Sequence, residues 1–240
     1  MHRPLALLAV PALLAAAGTT AACDGAPAPP TGGGALVLRL NELPGMVPPG
    51  GTAAIPPSFS LFGDGRLVSV ATDASGGWPR LRESTVPDED VRDLYGDAAA
   101  LRDRPTTENP DEPVVRVVVG SADGRRTVTL PRSDPSATRL RAALAAYANA
   151  SATEYRPAAV AVIATPADPA EPARPWPLPR LSGEPLPESA GSTCLVLRDA
   201  DLDAVRRATA DAGARWRSEG RVWQVRPRPL LPDETGCADL

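Results

Sequence analysis

Residues 114–130 read VVRVVVGSADGRRTVTL. Val115, Val117 and Val119 recur with period two, which a half-buried β-strand requires. Asp123-Gly124 supplies turn chemistry, and RRTVTL runs back as a second strand. The stretch is therefore a β-hairpin, and its flanks set the fold class. On its N-terminal side DEDVRDLYGDAAAL (88–101) opens with acids suited to the positive end of a helix dipole. Val91, Leu94, Tyr95, Ala98 and Leu101 then share one helical face. On its C-terminal side Asp134 is the expected N-cap and Pro135 the first turn of a second helix over 134–150. Leu140, Leu144 and Tyr147 form its apolar stripe. A hairpin held between two amphipathic helices predicts an α+β fold, with helices packed on an antiparallel sheet.

Working outward, ALVLRLNEL (35–43) reads as a strand, and SFSLFGDGRLVSVA (58–71) as a hairpin turning at Gly63-Asp64-Gly65. A loop carrying Gly76, Gly77 and Trp78 leads to Pro87. Beyond the second helix, AAVAVIAT (158–165) is a short strand buried on both faces. STCLVL (192–197) is another, Asp199 to Gly213 a third helix with Leu202 and Val205 inward, and ARWRSEGRVWQVRP a last hairpin around Glu219-Gly220. Composition breaks near 151–157. The expected organisation is a leader over 1–22, a tether over 23–34, and two small α+β subdomains over 35–152 and 153–240.

The leader is MHRPLALLAVPALLAAAGTTAAC. A basic start, an apolar run from Leu5 to Ala17 and small residues before Cys23 form the pattern of a secretory signal. The run is short of the roughly 20 apolar residues a membrane span needs. Thr20-Ala21-Ala22-Cys23 resembles a lipobox, with Thr20 where Leu is usual. Cys23 is the expected lipidation site. Ala22 also suits ordinary signal peptidase, so secretion without lipid is the alternative. DGAPAPPTGGG (24–34) lacks apolar periodicity and reads as the tether. The expected partner is a membrane reached through the N-terminal lipid.

Removing the leader takes away Arg3 and His2, the chain's only histidine. No lysine occurs, so 24 arginines then face 29 carboxylates, a net charge of −5. Nothing in this balance suits nucleic acid. Without an imidazole, serine- and cysteine-based nucleophilic catalysis loses its base, and catalytic zinc its commonest ligand. Cys194 and Cys237 remain, and in an oxidising compartment they are predicted to pair.

Asp199, Asp201 and Asp203 have the opening spacing of a calcium loop, but Ala204 and Ala210 stand where Gly and Glu are required. Asp88, Glu89, Asp90 and Asp93, and Glu108, Asp111 and Glu112, read as solvated acids rather than a catalytic pair. Pro166, Pro169, Pro172 and Pro175 recur every third residue ahead of Trp176. They suit either a docking ligand or a strap across the protein's own surface, and Trp176 and Leu178 favour the strap. Trp78, Trp176, Trp216 and Trp223 suit packing better than a carbohydrate platform. No cofactor, catalytic or metal site is implied.

With the leader, FSLFGDGRLV, DRPT (103–106), WPLP (176–179) and RPLLPDETGC (228–237) in view, the chain resembles a group of lipoproteins of high-GC actinobacteria with no assigned activity. The resemblance implies an anchor of more than one acyl chain and supports the disulfide, and it transfers no functional residue. The expectation is a non-enzymatic binding or scaffolding module on the outer face of the cytoplasmic membrane, meeting an envelope protein or glycan. The alternative is a histidine-free hydrolase using carboxylates on an envelope polysaccharide.

Overall fold

A computed structural model describes residues 28–47, 50–71, 77–104, 111–187 and 189–240. The fold is α+β. Its first sheet is built from β1 (Gly32–Leu43), β2 (Phe59–Gly63), β3 (Arg66–Val70), β4 (Leu81–Thr85), β5 (Val114–Ser121), β6 (Gly124–Pro131) and β7 (Thr153–Glu154). They lie in the order β6-β5-β1-β2-β3-β4-β7, antiparallel throughout. The valines of β5 alternate as expected, with Val115, Val117 and Val119 buried. The turn differs by one residue: Ser121 pairs with Gly124, so Ala122-Asp123 forms it and Gly124, at φ 131°, already belongs to the strand.

Helices α1 (Asp88–Ala100) and α2 (Pro135–Ala148) cover one face of this sheet. Leu94, Tyr95 and Ala98 from α1, and Leu140 and Leu144 from α2, pack on Leu38, Leu40, Leu61, Val117 and Val128. Asp134 caps α2, accepting from the backbone N–H of Ser136 at 2.7 Å and of Ala137 at 3.3 Å. Ala148 continues the buried row, and Tyr147 is only half-buried. A bulge in β1 pairs Leu36 with Phe62 and Leu38 with Leu61. It turns Leu36 to the opposite face while Val37 and Leu38 stay on the helix side.

Three boundaries differ from the sequence reading. β1 begins at Gly32, inside the expected tether, because Gly32 pairs with Gly63. The leader, Cys23 and the tether as far as residue 27 lie outside the described residues. β4 falls where a loop was expected: LREST has one large apolar residue, and its register comes from β3. β7 adds Thr153 and Glu154 to the first sheet, so the division between the two halves falls after Glu154.

The second sheet holds β8 (Ala159–Pro166), β9 (Arg174–Pro175), β10 (Glu184–Pro185), β11 (Thr193–Arg198), β12 (Arg215–Ser218) and β13 (Arg221–Pro229), in the order β10-β11-β8-β13-β12-β9. Only β12 and β9 run parallel. β8 is buried from Ala159 to Ala164 and sits between β11 and β13. Pro227 and Pro229 are tolerated in β13 because β12 pairs only with residues 221–224, leaving the far end an edge. Helix α3 (Ala200–Ala208) is shorter than the sequence suggests. The Thr209 hydroxyl donates back to the Val205 carbonyl at 2.8 Å, and the chain leaves the helix there.

The proline-rich segment is a strap. Its polyproline edge is interrupted at Asp168, whose carbonyl accepts the Glu171 N–H. Trp176 is buried beneath it, edge-on to Trp216 with centroids 5.3 Å apart, and its indole N–H donates to the Arg180 carbonyl. The Glu219 carboxylate clamps the far end through the N–H groups of Leu181 and Ser182 and the Ser182 hydroxyl. Those bonds, the Ser182 hydroxyl foremost, hold its carboxyl below the usual range.

Candidate functional site

The face of the first sheet away from α1 and α2 meets the second sheet through the C-terminal residues 230–240. Leu231 packs with Leu36, Phe62, Val68, Leu81 and Tyr155, mainly first-sheet residues. Its neighbour Leu230 packs with Ala159, Ala161 and Cys194 of the second. Successive side chains of an extended segment point opposite ways, so one dipeptide serves both cores. The Tyr155 hydroxyl donates to the Leu230 carbonyl at 2.9 Å, and burial, then Glu234, pushes that phenol up to about 12. The tail is fastened by Cys194–Cys237, bonded as expected across a separation of 43 residues with Cα atoms 6.0 Å apart.

Asp233 and Glu234 follow. Arg39 of β1 reaches both, at 2.6 Å and 3.1 Å, and its Nε donates to the Ser60 hydroxyl. Arg228 of β13 grips Glu234 bidentately at 2.8 and 2.9 Å, and Arg125 of β6 meets Asp233 at 3.0 Å. The side chains of Asp233 and Glu234 are 1% and 0% exposed, so the pairs lie in low dielectric. Burial lowers the Arg39 pKa against the opposing pull of Glu234 and Asp233. Burial likewise raises the Asp233 carboxyl, opposed by Arg39. Two carboxylates locked to arginines on adjacent residues do not face each other across an open cleft, as glycoside hydrolysis requires. Among the described residues, no group of His, Cys, Asp or Glu could hold a metal ion.

A cavity of about 120 Å³ opens beside this network, lined by Arg39, Asn41, Thr52, Arg116, Arg228 and Glu234 among others. It draws on β1, β5, β13, the tail and the turn at Thr52–Ala54, so it exists only where the two halves meet. Sequence reasoning missed it. Its arginines are scattered over 190 residues with no motif, and the one signal was the charge of RPLLPDETGC.

The other singled-out residues have structural work. Trp223, Trp176, Trp216 and the half-buried Trp78 belong to one core. The Arg206 guanidinium sits over Trp78, 5.8 Å from the ring centre, and pairs with Glu154 at 2.7 Å. Asp103 of DRPT accepts the Thr129 N–H at 2.8 Å, while Arg104 pairs with the α2 cap Asp134. Asp134 gains more from the N–H groups of Ser136 and Ala137 and from Arg104 than burial costs it, and its pKa is lowered. Asp201 and Asp203 lie in the first turn of α3, and Asp88, Glu89 and Asp90 in that of α1. Glu108 lies outside the described residues. No protein-family model matches this chain, and neither a curated protein nor a solved structure matches it.

Proposed function

We propose that the chain is an envelope lipoprotein, anchored through Cys23 outside the cytoplasmic membrane and acting as a non-catalytic binding or scaffolding module. The observation that carries this reading is the Cys194–Cys237 disulfide, which ties the tail to β11 of the second sheet. Such a bond suits an oxidising compartment, in keeping with the secretory pattern of residues 1–23. The ligand-facing part would be the junction, since the cavity there is built from both halves. An expressing bacterium fed an alkyne-tagged fatty acid is expected to label the wild-type protein and not Cys23→Ala. The variant should also leave the membrane fraction. Labelling that survives the substitution, or wild-type protein found unlabelled in the medium, would refute the anchor. In-cell crosslinking of the anchored protein then identifies what it holds, and cleavage of wall glycan by the purified protein would refute the non-catalytic role.

A further inference from the structure

The outer edge of β11 is only half paired. The Leu230 N–H donates to the Ala159 carbonyl, so the odd residues of β8 turn their backbone groups toward β13 and the even ones toward β11. The register sets Val160, Val162 and Ala164 opposite Leu197, Leu195 and Thr193. The N–H and C=O groups of Cys194, Val196 and Arg198 therefore point away from β8. β10 meets those of Cys194 through Glu184 and goes no further. Gly183 lies so close to the Cys194 carbonyl that a Cβ there would be 2.0 Å from its oxygen. The Glu219 carboxylate then draws off the N–H groups of Ser182 and Leu181. Among the described residues, no strand or other backbone group pairs with Val196 or Arg198 on this side. The usual devices that blunt an edge are missing too: residues 193–198 hold no proline or lysine, and their pairing with β8 has no bulge.

A space of about 490 Å³ runs along this edge, lined by Arg180, Gly183, Leu195, Val196, Thr235 and Gly236 among others. Its walls stand on opposite faces of the sheet. The strap is rooted by Leu181 in the core around Trp223, and the tail by Cys237 in the core around Ala159. The edge is thus recessed, with room for one extended chain. A second copy fits badly, because two recessed edges would meet wall to wall before their backbones reached the spacing of paired strands, about 4.8 Å. Charge marks the two ends. The Arg198 guanidinium donates to the Thr235 carbonyl at 2.7 Å and has no ion pair among the described residues, and neither has Glu184 at the β10 end. We propose that β11 takes an extended segment of a partner protein as an added strand in line with β10, with an acidic side chain at the Arg198 end and none at the Glu184 end. This surface goes beyond the envelope role and lies apart from the junction cavity. Its test needs neither the lipid nor that cavity, so either reading can fail while the other stands.

The test pans phage-displayed random peptides on the oxidised full-length protein. Enriched peptides are then synthesised and measured by fluorescence anisotropy and by amide hydrogen exchange of the protein. Saturable binding is expected, with exchange slowed at the Val196 and Arg198 amides and unchanged at Leu197, which already bonds to β8. Methylating alternate backbone nitrogens of the peptide leaves the protein untouched. One phase of alternation should weaken binding about tenfold, as the loss of a backbone hydrogen bond would, and the other phase little. Arg198→Glu should weaken binding, and Lys in place of the peptide's acid should restore it. No enriched peptide, enriched peptides that leave both amides exchanging freely, or peptides that tolerate methylation in either phase would each overturn the proposal. Equal affinity in Arg198→Glu would do the same. So would a concentration-dependent dimer that protects the same two amides, since the edge would then belong to a second copy.

Discussion

Arg39→Met tests whether the buried charges hold the two halves together. Met keeps an unbranched apolar stem and removes every polar contact. Asp233, 1% exposed, would retain only Arg125, which is 46% exposed and partly screened. Glu234 would keep the bidentate Arg228 and the Leu231 N–H, so only one of the two carboxylates loses its close buried partner. Removing one member of a buried pair costs about 3–5 kcal/mol. The surviving Arg125 contact places the expected loss near the low end, about 3 kcal/mol. The double variant Arg39→Met/Asp233→Asn removes both charges and should recover to within about 1 kcal/mol of wild type. Urea unfolding at pH 7, followed by tryptophan fluorescence and by far-ultraviolet circular dichroism, measures both. Acid adds a check with a definite sign. A carboxyl whose folded pKa is raised gives its stability below its unfolded pKa and loses it as pH rises through the folded value. The defect of Arg39→Met should therefore shrink as pH falls through the raised value at which Asp233 takes up a proton. A single variant within 0.5 kcal/mol of wild type, roughly the scatter of ordinary surface changes, would refute this reasoning. So would a double variant as unstable as the single.

Opening Cys194–Cys237 with Cys194→Ser/Cys237→Ser frees a loop spanned by 43 residues. The expected loss is about 4 kcal/mol in the chain-entropy model, read from urea unfolding with the wild type kept oxidised. Asp134→Ala removes the α2 cap and the Arg104 partner, and should cost about 1–2 kcal/mol at pH 7. Its lowered pKa means that this contribution is full above the unfolded value near 4 and is lost as pH falls through the folded one, so variant and wild type should converge below that folded value. Tyr155→Phe deletes the bond to the Leu230 carbonyl and should cost about 1 kcal/mol. With the phenol pushed up to about 12, wild-type stability from this group is full below the ordinary tyrosine value near 10 and is lost as pH rises through the folded one. Absorbance at 295 nm should show a late tyrosinate step that coincides with unfolding and is missing in the variant.

The elements written in periodic apolar residues were legible. β5 and β6, β2 and β3, α1, α2 and β8 each carry the pattern of the face they bury, and Asp134 carries its own cap signal. β4 was not legible because LREST carries one large apolar residue and no period of its own, and its place is set by pairing with β3 and, across about 70 residues, with β7. α3 stopped early because Thr209 bonds back to its own turn, an ending that Gly213 obscured. The disulfide was legible from cysteine arithmetic alone. The cavity was not, because Arg39, Arg116 and Arg228 lie on three strands whose neighbourhood is a matter of topology.

The tail explains why the junction hid in the sequence. PLLPDETGC has no helical or strand period because it is not one face of anything. Leu230 and Leu231 divide between two cores, and Asp233 and Glu234 face guanidiniums from β1, β6 and β13. The first sheet completes its pairing within residues 32–154 and the second within 159–229, so neither needs the tail for its ladder. What the tail supplies is the relation between them. A buried ion pair is weak evidence of stability but a strong constraint on geometry, since a misplaced tail would strand both carboxylates in low dielectric. The disulfide acts on the same segment from the other side, tying it to β11. Charges and cysteines together fix one arrangement of two otherwise self-sufficient sheets, and the cavity beside Arg116 exists only in that arrangement.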